Sequence, residues 1–419
     1  MKTYAMLRVA LTFVALCLTL LSTATVAFGQ DVGADVGGGA GIFRPRNPEA
    51  KRSATKPTTP VTKPSTRPGP RSNRGSAAAA AAAAERVEDL LAKGNEFRDA
   101  RRFAEAEEAY QGALKIKPRD ARAAYGLGNV YTDQQRWENA EMAYRNAAQW
   151  SPSNVDALVA LSVVLVQPMT GADNAKRLAD AEGYARRAVQ LQPKNAVAWD
   201  RLGVALQSRG SFTNETEQAY RRAVELDPQF AVAYVHLGRV LKRLGRSNDA
   251  APLYDQAISL AKEAATLNLV AESLQGEQQW EQSGPVLKRA LALEERNSTT
   301  LLLMGRMLVV LKRYQEAEPY LKTSTEVSPR AFQPFNLLGR TYLALERYAD
   351  AEVTYERAAT FASVGDRKQL AGAFGFQGVG DGYLKAKEHS NAARAYQRAL
   401  ELDPGNKEIE HKLSNARSR

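Results

Sequence analysis

The residues whose placement most suggests chemistry are arginines. Arg239, Arg306 and Arg340 each stand directly after a glycine, at the same place in a pattern that recurs about every 34 residues. A guanidinium presents a rigid fork of donors that takes a carboxylate in bidentate fashion. A row of them on an exposed helix face is expected to hold an acidic peptide. Arg201 and His236 fall on neighbouring positions and would extend the basic strip. Asn95 and Asn129 hold the arginine position in earlier copies of the pattern, and Val163, Val204, Glu272 and Asp381 hold it in the remaining ones. At ~100° per residue this position lies about 150° from the centre of the apolar stripe, so it is expected to be exposed. The alternative reading is a ladder in which Glu272 pairs with Arg239 or Arg306, an arrangement of surface ion pairs that contributes little.

Other chemistry finds no foothold. The three histidines, His236, His389 and His411, lie in different copies of the pattern, and His389 replaces the packing residues Phe103, Trp137 and Tyr348 of other copies. There is no Gly-Lys-Ser/Thr phosphate loop, no Gly-x-Ser-x-Gly elbow and no dinucleotide fingerprint after a strand. Gly375, Gly378, Gly380 and Gly382 fall on a helix, where they read as close-packing sites rather than a ligand loop. The single cysteine, Cys17, sits in an N-terminal apolar run, so neither a disulfide nor a thiolate metal site is expected. No catalytic residue, cofactor or metal is expected, and the thirteen residues after the last copy leave no room for a catalytic domain.

The elements that must position these side chains are helical hairpins. In the copy from Ala121 to Asn154, Ala124, Leu127, Gly128 and Tyr131 fall at i, i+3, i+4 and i+7, one face of a helix. After a polar break, Trp137, Ala140, Tyr144 and Ala147 form a second face, which Pro152 ends. Such a pair cannot bury its own stripes and needs copies stacked beside it. The order Leu-Gly, Tyr, Ala, aromatic, Ala, Pro at these spacings resembles the tetratricopeptide repeat (TPR) family. Copies occur at about 87–120, 121–154, 155–195, 196–230, 231–263, 264–297, 298–331, 332–365 and 373–406, with seven-residue insertions near Pro168–Asn174 and Asp366–Gly372. The resemblance implies an all-α solenoid of about nine hairpins in a right-handed superhelix, whose first helices line a concave groove. The carboxylate clamp of some family members is not matched. Asn95 fits, but Leu91, Gly126, Asp156 and Ala160 stand where the clamp's other polar residues are needed. Residues 407–419 are expected to form a polar cap helix.

Residues 1–29 read as an export signal, with Lys2 and Arg8 before and within an apolar stretch and small residues at Ala27 and Gly29. An uncleaved anchor over residues 7–28 is the alternative. Residues 30–76 are rich in Pro, Thr, Gly, Lys and Arg and are expected to be a disordered basic linker. Between residues 30 and 84, nine Lys/Arg against three Asp/Glu carry most of the chain's net charge of +11. The Ala77–Ala84 tract is expected to extend the first helix. Together these features suggest an exported, periplasmic or cell-envelope scaffold without catalytic activity, binding protein or peptide partners. Alternatives are the regulatory arm of a separate enzyme, similar to the repeat region of O-linked N-acetylglucosamine transferases, or an envelope-assembly factor for pilus or outer-membrane biogenesis. No specific nucleic acid is expected, and membrane contact only through an uncleaved anchor or the basic linker.

Overall fold

The structure, a computed structural model, describes residues 74–418. The expected export signal and most of the linker lie outside the described residues, while residues 74–76 already belong to the first helix. Every regular element described is an α-helix. Contacts divide the chain into two units, Met1–Pro228 and Gln229–Arg419.

The first unit contains four helix pairs: α1 (Arg74–Asp99) with α2 (Phe103–Ile116), α3 (Ala121–Asp133) with α4 (Trp137–Trp150), α5 (Val155–Leu165) with α6 (Asn174–Leu191), and α7 (Ala196–Ser208) with α8 (Asn214–Leu226). The alanine tract lengthens α1 at its N-terminus, as alanine's low helix cost dictates. Helix α3 shows why the pattern folds as it does. Asp120 caps it by accepting from the amides of Arg122 and Ala123, and Ala124, Leu127, Gly128 and Tyr131 are buried. The chain then turns through Gln135, which takes the left-handed φ of 57°. Tyr144 of α4 lies flat against Gly128: a Cβ there would stand 2.4 Å from the tyrosine Cε1. Tyr110 and Tyr220 pack on Gly94 and Gly203 in the same way. The stripes merge into one continuous core running from Val87 to Ala219.

The first insertion replaces the tight turn of its hairpin with residues 166–173 and lengthens α6 at its N-terminus. Elsewhere the turn's own amides reach back to the last carbonyls of the first helix, as Arg136 does to Tyr131. Here the buried Arg177 side chain substitutes for part of that turn. It donates to the Val164 carbonyl at 3.1 Å and to the Gln167 carbonyl, while its Nε binds Glu141 at 3.0 Å. A helix C-terminus without such partners would carry orphan acceptors.

The second unit contains α9 (Ala231–Arg243) with α10 (Ser247–Leu260), α11 (Ala264–Gly276) with α12 (Trp280–Leu293), α13 (Ser298–Val310) with α14 (Tyr314–Val327), and α15 (Phe332–Ala344) with α16 (Tyr348–Ala359). Then follow α17 (Val364–Ala371), the pair α18 (Phe376–Lys385) and α19 (His389–Leu402), and α20 (Lys407–Arg417). The small-on-large contact recurs as Gly238 on Tyr254, Gly305 on Leu321, Gly339 on Tyr355 and Gly380 on Tyr396. In the most diverged pair, Ala271 and Leu287 are both fully buried at the corresponding places.

The second insertion is a helix of its own, α17, closed by a reciprocal cap between Ser363 and Asp366. It displaces the following first helix, which starts at Phe376 rather than at the expected residue 373. The glycines there do serve close packing: Cβ atoms on Gly378 and Gly382 would meet the Ala373 carbonyl at 2.1 Å and the Tyr348 ring at 2.2 Å. The last helix, α20, buries Ile409, Leu413 and Ala416 and leaves its charges outward, as a cap requires.

Gly128→Leu is expected to lower stability by about 1–3 kcal/mol or more through overpacking against Tyr144, whereas Gln135→Glu should leave it nearly unchanged. Chemical denaturation of the two variants checks this, and equal midpoints would contradict the packing described. Arg177→Leu should cost roughly 1–3 kcal/mol, because the Val164 and Gln167 carbonyls lose a buried donor, while Glu141 keeps Arg145 at 2.8 Å. A midpoint unchanged from the wild type would show that the inserted turn does not depend on Arg177.

Candidate functional site

Consecutive first helices lie side by side over much of each unit: α1 touches α3, α5 touches α7, and α9, α11, α13 and α15 touch in series. Polar side chains bridge these helices. In the first unit Arg122 of α3 reaches Glu88 of α1 at 2.8 Å, and Arg98 of α1 reaches Asp133 at 2.8 Å. In the second unit Arg306 Nε donates to Gln275 Oε1 at 2.8 Å, and Gln275 in turn donates to the Leu303 carbonyl at 3.0 Å. Thr300 donates to Asn268 at 2.8 Å, and Lys412 pairs with Asp381 at 2.8 Å.

The positions expected to be exposed are mostly covered. Asn95 is exposed, but Asn129 is only 4% exposed, Val163 is buried, and Val204, Arg239, Glu272, Arg306, Arg340 and Asp381 are half-buried. The reason lies partly in the second helix of each pair. Its tyrosine passes over the small residue and its hydroxyl donates to the next side chain: Tyr110 to Asn95 at 2.8 Å, Tyr144 to Asn129 at 2.7 Å, Tyr396 to Asp381 at 2.6 Å. Burial pushes the Tyr110 phenol up to about 12, with Arg98 pulling the other way. Burial also raises Tyr144 and Tyr396 well above the ordinary phenol range, and the Asp381 carboxylate adds to the effect at Tyr396.

Arg201 and His236, expected on the exposed strip, are each 5% exposed. Each immediately precedes a packed leucine, Leu202 or Leu237, on a side of the helix that neighbouring elements cover. Arg201 lies 3.1 Å from the fully buried Asp200. The basic strip is therefore not a row of free guanidinium groups.

Arg340 differs from the other arginines. Its guanidinium stands 5.0 Å from the centre of the Phe374 ring, a cation–π arrangement, and makes no hydrogen bond or ion pair with any described residue. Phe374 is 66% exposed, and the Tyr355 hydroxyl holds its carbonyl at 2.7 Å. The position of Phe374, between the inserted α17 and α18, was not legible as functional from its glycine-rich surroundings. The arrangement can hold a carboxylate against a charged and an aromatic surface. Among the described residues no group of three His, Cys, Asp or Glu side chains could hold a metal, and no helix is long and apolar enough to cross a membrane.

At the start of α3, burial alone would push the Asp120 carboxyl up, but hydrogen bonds from Arg122, Lys117 and the Arg122 amide hold it far below the ordinary carboxylate range. A depressed pKa contributes stability that is fully present above the unfolded value, near ~3.9, and is lost as pH falls through the folded value. Asp120→Ala should therefore cost about 1–2 kcal/mol at pH 7 through the lost cap and more through the lost ion pairs. Denaturation series from pH 7 to pH 2 should show the gap between variant and wild type narrowing below about pH 4.

A tetratricopeptide repeat family model matches residues 91–164, 172–230 and 302–366, and a second tetratricopeptide repeat model matches residues 219–251. No curated protein sequence matches the chain. Among solved structures, the MamA protein is 21% identical, over 42% of this chain and 92% of its own, with a TM-score of 0.36. YrrB, a TPR protein with an unusual peptide-binding site, is 24% identical, over 42% of this chain and 88% of its own, with a TM-score of 0.34. TTC0263, a thermophilic TPR protein in Thermus thermophilus, is 20% identical, over 45% of this chain and 99% of its own, with a TM-score of 0.39.

Proposed function

Since the chain belongs to the tetratricopeptide repeat family, we propose that it is a non-catalytic interaction scaffold that holds peptide segments of partner proteins against its first helices. Stacked hairpins offer extended surfaces of this kind. The observation that carries the reading is Arg340, a cation with no protein counter-charge among the described residues, seated on the exposed Phe374 ring. An acidic partner segment supplies the missing carboxylate, and its apolar neighbours cover Phe374. Export to the periplasm or cell envelope forms part of the proposal and is supported by the charge and hydropathy order of residues 1–29.

Arg340→Glu tests the binding surface better than a change at Arg306, whose guanidinium is bound to Gln275. Proteins captured from an envelope extract by the wild type are expected to be lost with Arg340→Glu, and the melting temperature should stay within about 1 °C, as for a surface change. Unchanged capture would remove Arg340 from the binding surface. Deleting residues 2–29 is expected to leave the chain in the cytoplasmic fraction, and its recovery in the envelope would overturn the export reading.

A further inference from the structure

The hairpin of α15 and α16 carries a groove that the Arg340 surface does not use. α16 has 12 residues where α4 has 14, so the chain leaves the helix after Thr360. The Phe361 ring then stands 6.3 Å, centre to centre, from the Phe335 ring of α15. Beside this pair, Phe335, Leu338, Val353, Thr354, Arg357 and Thr360, together with Glu356, line an open groove of about 440 Å³. At ~100° per residue, Arg340 lies about 140–160° round α15 from Phe335 and Leu338, so the groove faces another side of that helix.

The groove is apolar because most of the polar groups in its lining are already engaged. Thr354 donates its hydroxyl to the Asp350 carbonyl at 2.7 Å, and Thr360 donates to the Arg357 carbonyl at 2.8 Å. The Glu356 carboxylate is held by Arg398 at 2.9 Å. Arg357 is left over. Its side chain is exposed, its guanidinium stands 5.4 Å from the centre of the Phe361 ring, and it makes no hydrogen bond or ion pair with any described residue. Val353, one turn before it, is 72% exposed. The segment that follows keeps the same sign, since Arg367 and Lys368 of α17 are exposed while Asp366 is taken up in the Ser363 cap.

An apolar trough with an uncompensated cation on its rim suits an apolar surface that carries an anion. We propose that this groove binds a short acidic amphipathic helix of a partner protein, which sets two large apolar side chains against Phe335, Leu338 and Val353 and a carboxylate on Arg357. A helix lying in a groove between two others is a recurrent mode of recognition. The dimensions agree with it. Val353 and Thr360 are about 10 Å apart along α16, and side chains one turn apart on the partner helix stand about 5–6 Å apart. The volume exceeds what two benzene-sized side chains need, at roughly 150 Å³ each. The Phe361 ring holds the guanidinium from one face, leaving its edge of N–H donors for a bidentate carboxylate. A concave lining also favours an inserted side chain over a flat lipid surface.

The test is a display library of helical peptides with randomised surface positions, panned on the full chain. Recovered binders should carry two large apolar residues three or four apart and an Asp or Glu within one turn of them. Made as a dye-labelled synthetic peptide, such a binder should lose at least tenfold in affinity with Arg357→Glu and with Val353→Glu. Both changes fall on exposed side chains and should leave the melting temperature nearly unchanged. Exchanging the peptide's acidic residue for lysine should restore binding to the Arg357→Glu chain. Arg340→Glu should leave the affinity unaltered, so this inference and the Arg340 surface fail separately. The proposal is overturned if no recovered peptide depends on Arg357 and Val353, or if the lysine exchange restores nothing. It is also overturned if phosphatidylglycerol vesicles, and not peptides, bind in a way that Arg357→Glu abolishes, or if Val353→Glu turns a dimer into a monomer, so that a second copy is the occupant.

Discussion

The contact on which most of the hairpins depend is an aromatic or leucine side chain of the second helix lying on a glycine of the first that has no room for a Cβ. With the Tyr144 ring 2.4 Å from where the Gly128 Cβ would be, the two backbones are as close as one ring thickness permits. That distance sets how far the apolar stripes interdigitate, and hence whether the next hairpin finds a complete surface to stack on. Glycine normally weakens a helix. Here the dispersion and apolar burial of a whole tyrosine ring offset that loss, which is why the pairing returns at Gly94, Gly203, Gly238, Gly339 and Gly380.

The same contact decides the polar chemistry of the surface. A tyrosine that crosses the small residue ends with its hydroxyl at the edge of the first-helix face, where it needs an acceptor. Asn95, Asn129 and Asp381 provide one. Side chains that look free on a helical projection are therefore engaged in holding the hairpin together. What remains for a ligand is set by what these internal bonds leave over, as with Arg340 on Phe374 in the second unit.

The insertions show how a repeated architecture absorbs irregular chain. One lengthens α6 and repairs the carbonyl end of α5 with the Arg177 side chain, and the other folds into α17 with its own reciprocal cap. In both cases the backbone polar groups of the added residues find partners nearby, so neighbouring hairpins keep their packing. The second insertion also brings Phe374 out beside Arg340, tying an irregularity of the chain to its candidate binding surface.

Helix identity, hairpin pairing and the places of both insertions were determined by the sequence alone, because each rests on local spacing. Ala124, Leu127, Gly128 and Tyr131 share a face whatever surrounds them, and the alanine tract before Glu85 continues a helix on its own propensity. The polar cap was legible for the same reason, from Ile409 and Leu413 one turn apart among charges. Exposure was decided by tertiary structure. An angle of 150° from the apolar stripe places Asn129 away from its own helix's core, yet Tyr144 and adjoining helices cover it. Arg201 and His236 lie on helix sides that neighbours bury, and Arg306 spends its Nε on Gln275 of another hairpin. Coverage depends on residues from 15 to 31 positions away in the chain, and helical periodicity carries no information at that range.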